Sequence, residues 1–267
     1  MGAEQAPVLM GSITDAGEAA RGRVAVCGSH GGRYAAMLAS RAGLRAVILN
    51  DAGRGLDDAG VAGVLALAEV GMAAAAVDAM SARIGDGADM AARGVISTAN
   101  AVAELLGVAP GMTAAEAARR MAEAPWPIET LAPMAEARRA VRVGAVEALL
   151  CDSASLLRAE DAGGILVTGS HGGLIGGDPA RATKAPMRLA VFHDAGIGAE
   201  AAGVSRLPAL EGLGRAGAAV AAATARIGEA ASLLETGVLS RVNGPAAAMG
   251  LRDGVPLREA LAGLAAG

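Results

Sequence analysis

RVAVCGSHGGRYAAMLASRAGLRAVILNDAG, residues 23–53, is the stretch whose reading decides the fold. An apolar run ends in glycines, a segment with helical spacing follows, and a second apolar run closes on Asn-Asp-Ala-Gly. The order is strand, glycine turn, helix, strand. Downstream, GLDDAGVAGVLALAEVG reads as a helix, MAAAAVDAM as a third strand, and TANAVAELLG as a helix capped by Ser97 and closed by Gly107. Strands separated by helices predict a parallel sheet, and in such sheets ligands bind beyond the carboxyl ends of the strands.

The phrase GSHGG at 28–32 returns at 169–173. A shift of 143 positions lays Asp51–Ala117 on Asp194–Ala260 without a gap. NDAGRGLDDAGV falls on HDAGIGAEAAGV, SARIGD on TARIGE and GVISTAN on GVLSRVN, more agreement than shared alanine alone accounts for. The predicted architecture is therefore α/β: two tandemly duplicated lobes, each a mainly parallel sheet with flanking helices, related by a pseudo-twofold axis. Residues 1–125 form the first lobe, 126–145 a linker and connecting helix that includes PMAEARRAVRVG, and 146–267 the second lobe. In the second copy Asp178 and Pro179 start a short helix.

A formal charge of −4 and a pI near 5.5 leave no basic field for nucleic acid or anionic lipid. The longest apolar stretch, VAGVLALAEVGMAAAAV, carries Glu69 and glycines, so no membrane span is expected. MGAEQAPVLM lacks a basic patch followed by an apolar run, so no secretory leader is expected and the cytoplasm is the expected compartment. Cys27 and Cys151 have neither metal-ligand nor redox spacing and make no disulfide framework. The expected partner is a small anionic, carboxylated substrate, with no cofactor; assembly into a homo-oligomer is compatible with these features.

All three histidines fall at expected strand ends: His30 and His171 inside GSHGG, and His193 just before Asp194. Histidine is the side chain poised to move protons near neutral pH. Gly31, Gly32, Gly172 and Gly173 are expected to turn backbone N–H groups toward an anion or oxyanion, with Ser29 and Ser170 supplying hydroxyls. Asp51 and Asp194 end the next strand and could orient a ring or bind a substrate hydroxyl. Arg83 and Arg226 offer forks for a carboxylate, Asn100 and Asn243 are placed to reach a ligand, and Tyr34 follows the first glycine turn. Lys184, the single lysine, stands where the first copy has Arg41 and reads as a base, Schiff-base nucleophile or substrate clamp.

Serine, histidine, aspartate and an oxyanion-type loop together supply the parts for hydrolysis of an amide or ester. An enzyme of that class is the first expectation, with Ser29, His30, Asp51, Ser170, His171, Lys184, His193 and Asp194 as its catalytic residues. Isomerisation or racemisation by paired acid/base groups comes second, and a nucleotide- or phosphate-binding α/β protein third. Structural roles compete throughout: a turn, a cap, a surface lysine, or an arginine paired with Asp86 or Glu229. No HxH or HExxH supports a metal site, the glycines run GxxGG rather than GxGxxG, and no GK[ST] follows them.

Overall fold

The computed structural model describes residues 6–265; residues 1–5, which belong to the stretch on which the leader expectation rests, lie outside the described residues. The chain divides into two compact units. Unit 1 runs to Gly53 and takes in Asp58–Met134 and Gly198–Glu200; unit 2 comprises Arg54–Asp57, Ala135–Ile197 and the chain from Ala201 onward.

Unit 1 holds a sheet of β1 (Val8–Met10), β2 (Val24–His30), β3 (Ala46–Asn50), β4 (Ala73–Val77) and β5 (Ile96–Ala99), ordered as in the chain. The first four strands are parallel and β5 is antiparallel to β4. Its helices are α1 (Arg33–Arg41), α2 (Ala62–Ala66), α3 (Gly87–Arg93), α4 (Ala101–Leu105) and α5 (Ala114–Met121). AVILN of β3 and AAAAV of β4 are buried at every position, because hydrophobic clusters cover both faces of the sheet. Each buried alanine methyl contributes only about 0.8 kcal/mol, so this core depends on close approach of many small groups. The single helix expected over 55–71 is broken: α2 passes into a 3₁₀ turn at Leu67–Val70, and Gly71 at φ 70° ends it.

Unit 2 is ordered β11-β10-β9-β8-β7-β6. The strands are β6 (Arg138–Val143), β7 (Val146–Cys151), β8 (Ile165–His171), β9 (Leu189–His193), β10 (Ala216–Val220) and β11 (Leu239–Val242). β7 to β10 are parallel, and the two outer strands are antiparallel to their neighbours. Helices α6 (Arg206–Gly212), α7 (Ala230–Thr236), α8 (Gly244–Ala248) and α9 (Leu257–Ala262) complete it.

Two local expectations are corrected. The connecting helix expected within 126–145 is the strand β6, paired along its length with β7. Val141 and Val143, two residues apart, both pack on the core, and Gly144 at φ 59° makes the tight return to β7. Ser97 lies inside β5 and is not a cap; the cap is Asn100, whose Oδ1 accepts from Ala103 N. Asp178 does cap a short turn, the 3₁₀ segment Pro179–Arg181. Among the described residues no helix is long and apolar enough to cross a membrane.

Candidate functional site

Each GSHGG phrase is a bulge at the carboxyl end of its sheet. β2 and β3 are in register at Val26–Ile48 and again at His30–Asn50, so β2 inserts two extra residues. β8 and β9 repeat this between Val167–Val191 and His171–His193. A Cβ on Gly28 would sit 2.5 Å from Asp86 N, and one on Gly169 2.6 Å from Glu229 N. Glycine is required there because the loop after the next strand but one lies directly against the bulge, held by Gly85 N to Gly28 O and Gly228 N to Gly169 O, both 2.8 Å.

The glycine donors expected to face an anion are engaged within the turns. Gly31 N donates to Asn50 O (2.7 Å) and Gly172 N to His193 O (2.8 Å). Gly32 N donates to Nδ1 of His30, and Gly173 N to Nδ1 of His171, each at 3.1 Å. A neutral ring that accepts at Nδ1 carries its proton on Nε2. His30 is half-buried and His171 buried. Ser29 Oγ accepts from Ile13 N and Ser170 Oγ from Ala154 N, both 2.9 Å, which ties each bulge to the loop after the neighbouring strand.

The residues ending the next strand serve the backbone. His193 is wholly buried; its Nδ1 accepts from Ala195 N (3.0 Å) and its Nε2 lies 3.1 Å from Ala225 O. Loss of solvent holds its pKa below the ordinary histidine value, so the ring is a neutral clamp. Asn50 occupies the matching place in unit 1, where its Oδ1 accepts from Ala52 N and its Nδ2 is buried without a partner. Asp51 Oδ1 accepts from Gly53 N and Ala79 N, and Asp194 Oδ1 from Gly196 N and Ala222 N, all at 2.9 Å. In each unit this oxygen fixes the turn and the start of the next loop.

Those aspartates anchor an unusual backbone. Ala52, Gly53, Arg54 and Gly55 have φ of 51°, 70°, 62° and 71° in succession, and Ala195, Gly196, Ile197 and Gly198 have 50°, 72°, 65° and 71°. Four successive left-handed residues cost about 1–2 kcal/mol for each non-glycine member, and Ile197, being β-branched, is the worst placed. The sequence signal for it was the alternation of glycine in DAGRG and DAGIG. The strain is stored at the sheet end where ligands bind in this class of fold.

The arginine forks are already filled. Arg83 Nη2 lies 3.0 Å from both Asp86 and Asp89 and its Nη1 2.9 Å from Glu200; Arg93 also reaches Asp89 and Glu200. Arg226 Nε donates to Asp57 at 2.7 Å, and its Nη1 is 3.6 Å from Glu229. Asn100 and Asn243 lie away from the GSHGG turns. They accept from Ala74 N and Gly217 N, at the amino-terminal ends of β4 and β10, opposite to the GSHGG turns. Their amides donate to Val64 O and Met72 O, and to Leu207 O and Arg215 O. Lys184 is exposed and donates to Ser155 O at 2.7 Å. Tyr34 is half-buried on the first turn of α1. Burial pushes the thiols of Cys27 and Cys151 up to about 11, which keeps both protonated near neutral pH.

One charged residue went unread in the sequence. Arg206, at the start of α6, is 4% exposed, and its guanidinium donates to Gly173 O (3.0 Å, Nε) and Ala182 O (2.9 Å, Nη1). The signal was available: the shift of 143 positions lays Arg206 on Gly63, in a mostly apolar stretch. Among the described residues no group of three or more His, Cys, Asp or Glu is placed to hold a metal ion. No protein-family model matches the chain, and neither a curated protein nor a solved structure matches it, so its functional reading rests on the residues themselves.

Proposed function

We propose that the chain is an enzyme that moves a proton on a small carbonyl-bearing substrate, with the imidazole of the GSHGG turn as hydrogen-bond donor and general acid. The observation that carries this reading is the 3.1 Å contact from a glycine N–H to Nδ1 in both turns. A Ser-His-Asp hydrolase needs the opposite tautomer: Nδ1–H donates to the carboxylate while Nε2 takes the serine proton. With Nδ1 facing a donor and with Asp51 and Asp194 holding backbone N–H groups, the geometry favours isomerisation over hydrolysis. A neutral Nε2–H polarises a carbonyl and gives its proton to the developing enolate oxygen while water takes the α-proton; the ring recovers its proton when water reprotonates the α-carbon.

Nitrogen-15 NMR of the imidazoles tests the tautomer without a known substrate; the proton belongs on Nε2 of both His30 and His171. Solvent deuterium exchange at the α-carbons of a panel of small ketones and keto acids tests the chemistry. His171→Ala or His30→Ala lowers kcat/KM for exchange about a hundredfold, whereas glutamine, which keeps an N–H donor, restores part of it. Nδ1–H rings, or full exchange rates in both alanine variants, overturn the proposal.

A tandem duplication as the origin of the two units belongs to the same reading. Its support is that matched positions make matched bonds. Asn100 and Asn243 each cap a helix and donate to two carbonyls, Ser29 and Ser170 each accept from the residue sixteen before, and Asp51 and Asp194 hold equivalent N–H pairs.

A further inference from the structure

Unit 2 carries a buried positive charge that no described residue neutralises. Arg206 packs its guanidinium 5.2 Å from the centre of the Phe192 ring, and its Nε and Nη1 are committed to the carbonyls of Gly173 and Ala182. Its Nη2 takes part in neither bond. Among the described residues no carboxylate lies within ion-pair distance of it. Burial, and then the neighbouring Arg181 guanidinium of the same sign, pull its pKa down to about 10, so it remains charged at neutral pH. An unpaired buried cation is strongly unfavourable unless something completes it. The adjoining loop supplies a second unfinished group: Thr183 Oγ1 is buried without a hydrogen-bond partner, between Arg181 and Lys184.

We propose that Arg206 and the loop 181–184 form a subsite for the oxyanion group of a small molecule, a carboxylate or a phosphate. The guanidinium offers Nη2, the threonine a hydroxyl, and Arg181 and Lys184 add positive field from a loop anchored through Ala182 on Arg206 itself. Unit 1 has no counterpart, because Gly63 stands where Arg206 does and a Cβ there would lie 2.3 Å from Gly32 O. The subsite requires binding only and is independent of the acid/base chemistry assigned to the imidazoles.

Inorganic phosphate and acetate are titrated into the full chain at fixed ionic strength, with chloride as the balancing anion, and binding is read by calorimetry and by the rise in Tm. Saturable binding of either is the expected result; phosphate alone assigns a phosphate group, acetate alone a carboxylate. Arg206→Met raises Kd at least about tenfold, the worth of one charge-assisted hydrogen bond. Arg181→Ala, at an exposed position, raises it about threefold without loss of fold. Absence of saturable binding by both anions overturns the subsite, as does an unchanged Kd in Arg181→Ala, a result that stands even where Arg206→Met does not fold.

Discussion

The chain after GSHGG takes different forms in the two units. In unit 1 it enters α1, which packs on α2 at Gly63, where a Cβ would meet Gly32 O at 2.3 Å and the Ala36 Cβ at 2.7 Å. In unit 2 it makes only 3₁₀ turns, at Ile175–Gly177 and Pro179–Arg181, and the long side chain of Arg206 reaches Gly173 O and Ala182 O. One backbone bond is common to both: Gly63 N to Gly31 O at 2.9 Å and Arg206 N to Gly172 O at 2.8 Å. The same turn therefore supports two neighbourhoods, and side-chain volume at a single position separates a packed helix pair from a buried cation. A shared motif does not oblige the two units to share a task.

The comparison breaks most visibly at Gly63. Gly63→Leu is expected to destabilise unit 1 by about 3 kcal/mol or more, since backbone and not a flexible side chain obstructs the new atoms. Trp126, the single tryptophan, lies in unit 1, so its fluorescence in a urea titration reports that unit. An unshifted midpoint would mean that helix packing does not demand glycine.

The pair Asn50 and His193 sharpens it at a smaller scale. His193→Asn removes the reach to Ala225 O and is expected to cost about 1–2 kcal/mol; Asn50→His, which gives the orphaned position in unit 1 a longer donor, is expected to stabilise by about 1 kcal/mol. The pH dependence has a definite sign. His193 titrates below its unfolded value of 6.5 because burial disfavours the cation, so below about pH 6.5 the unfolded chain binds the proton first. The contribution of His193 is complete above that pH and declines as pH falls toward the folded pKa. Denaturation midpoints across pH 5–8 should lose this slope in His193→Asn, and an equal slope in the parent and variant would reassign the clamp.

The smallest effect lies at Arg83, whose side chain is 38% exposed. Arg83→Met should lower Tm by about a degree or less at low salt, and the difference should shrink near 0.5 M salt, where a Debye length of about 4 Å weakens exposed ion pairs. A larger loss, or one indifferent to salt, would make the carboxylate cluster around Arg83 a structural requirement of unit 1.

Much of the strand-turn-helix order was legible because period and glycine placement are local properties. β2, β3 and β4 stand where apolar runs end in glycine or aspartate, and α1 where the helical spacing lies. Ser97 and the segment of β6 were misread for one reason. A short run of small or alternating residues is compatible with either element, and an open sheet edge decided for strand in both. The position of the GSHGG turns at strand ends was legible, and the bonding partners of the side chains were not. Sequence spacing put Asn100 near a ligand, whereas the antiparallel return of β5 carries it to the opposite end of the sheet.

By itself the sequence determined which residues alternate, where the backbone can turn left-handed, and that one five-residue phrase occurs twice, because each of these depends on neighbours along the chain. Tertiary structure alone decided that Glu200 and Asp57 join the arginine forks of Arg83 and Arg226, and that Arg206 is buried without a carboxylate. Those are properties of groups far apart in sequence, set by the desolvation and hydrogen bonding that only packing imposes.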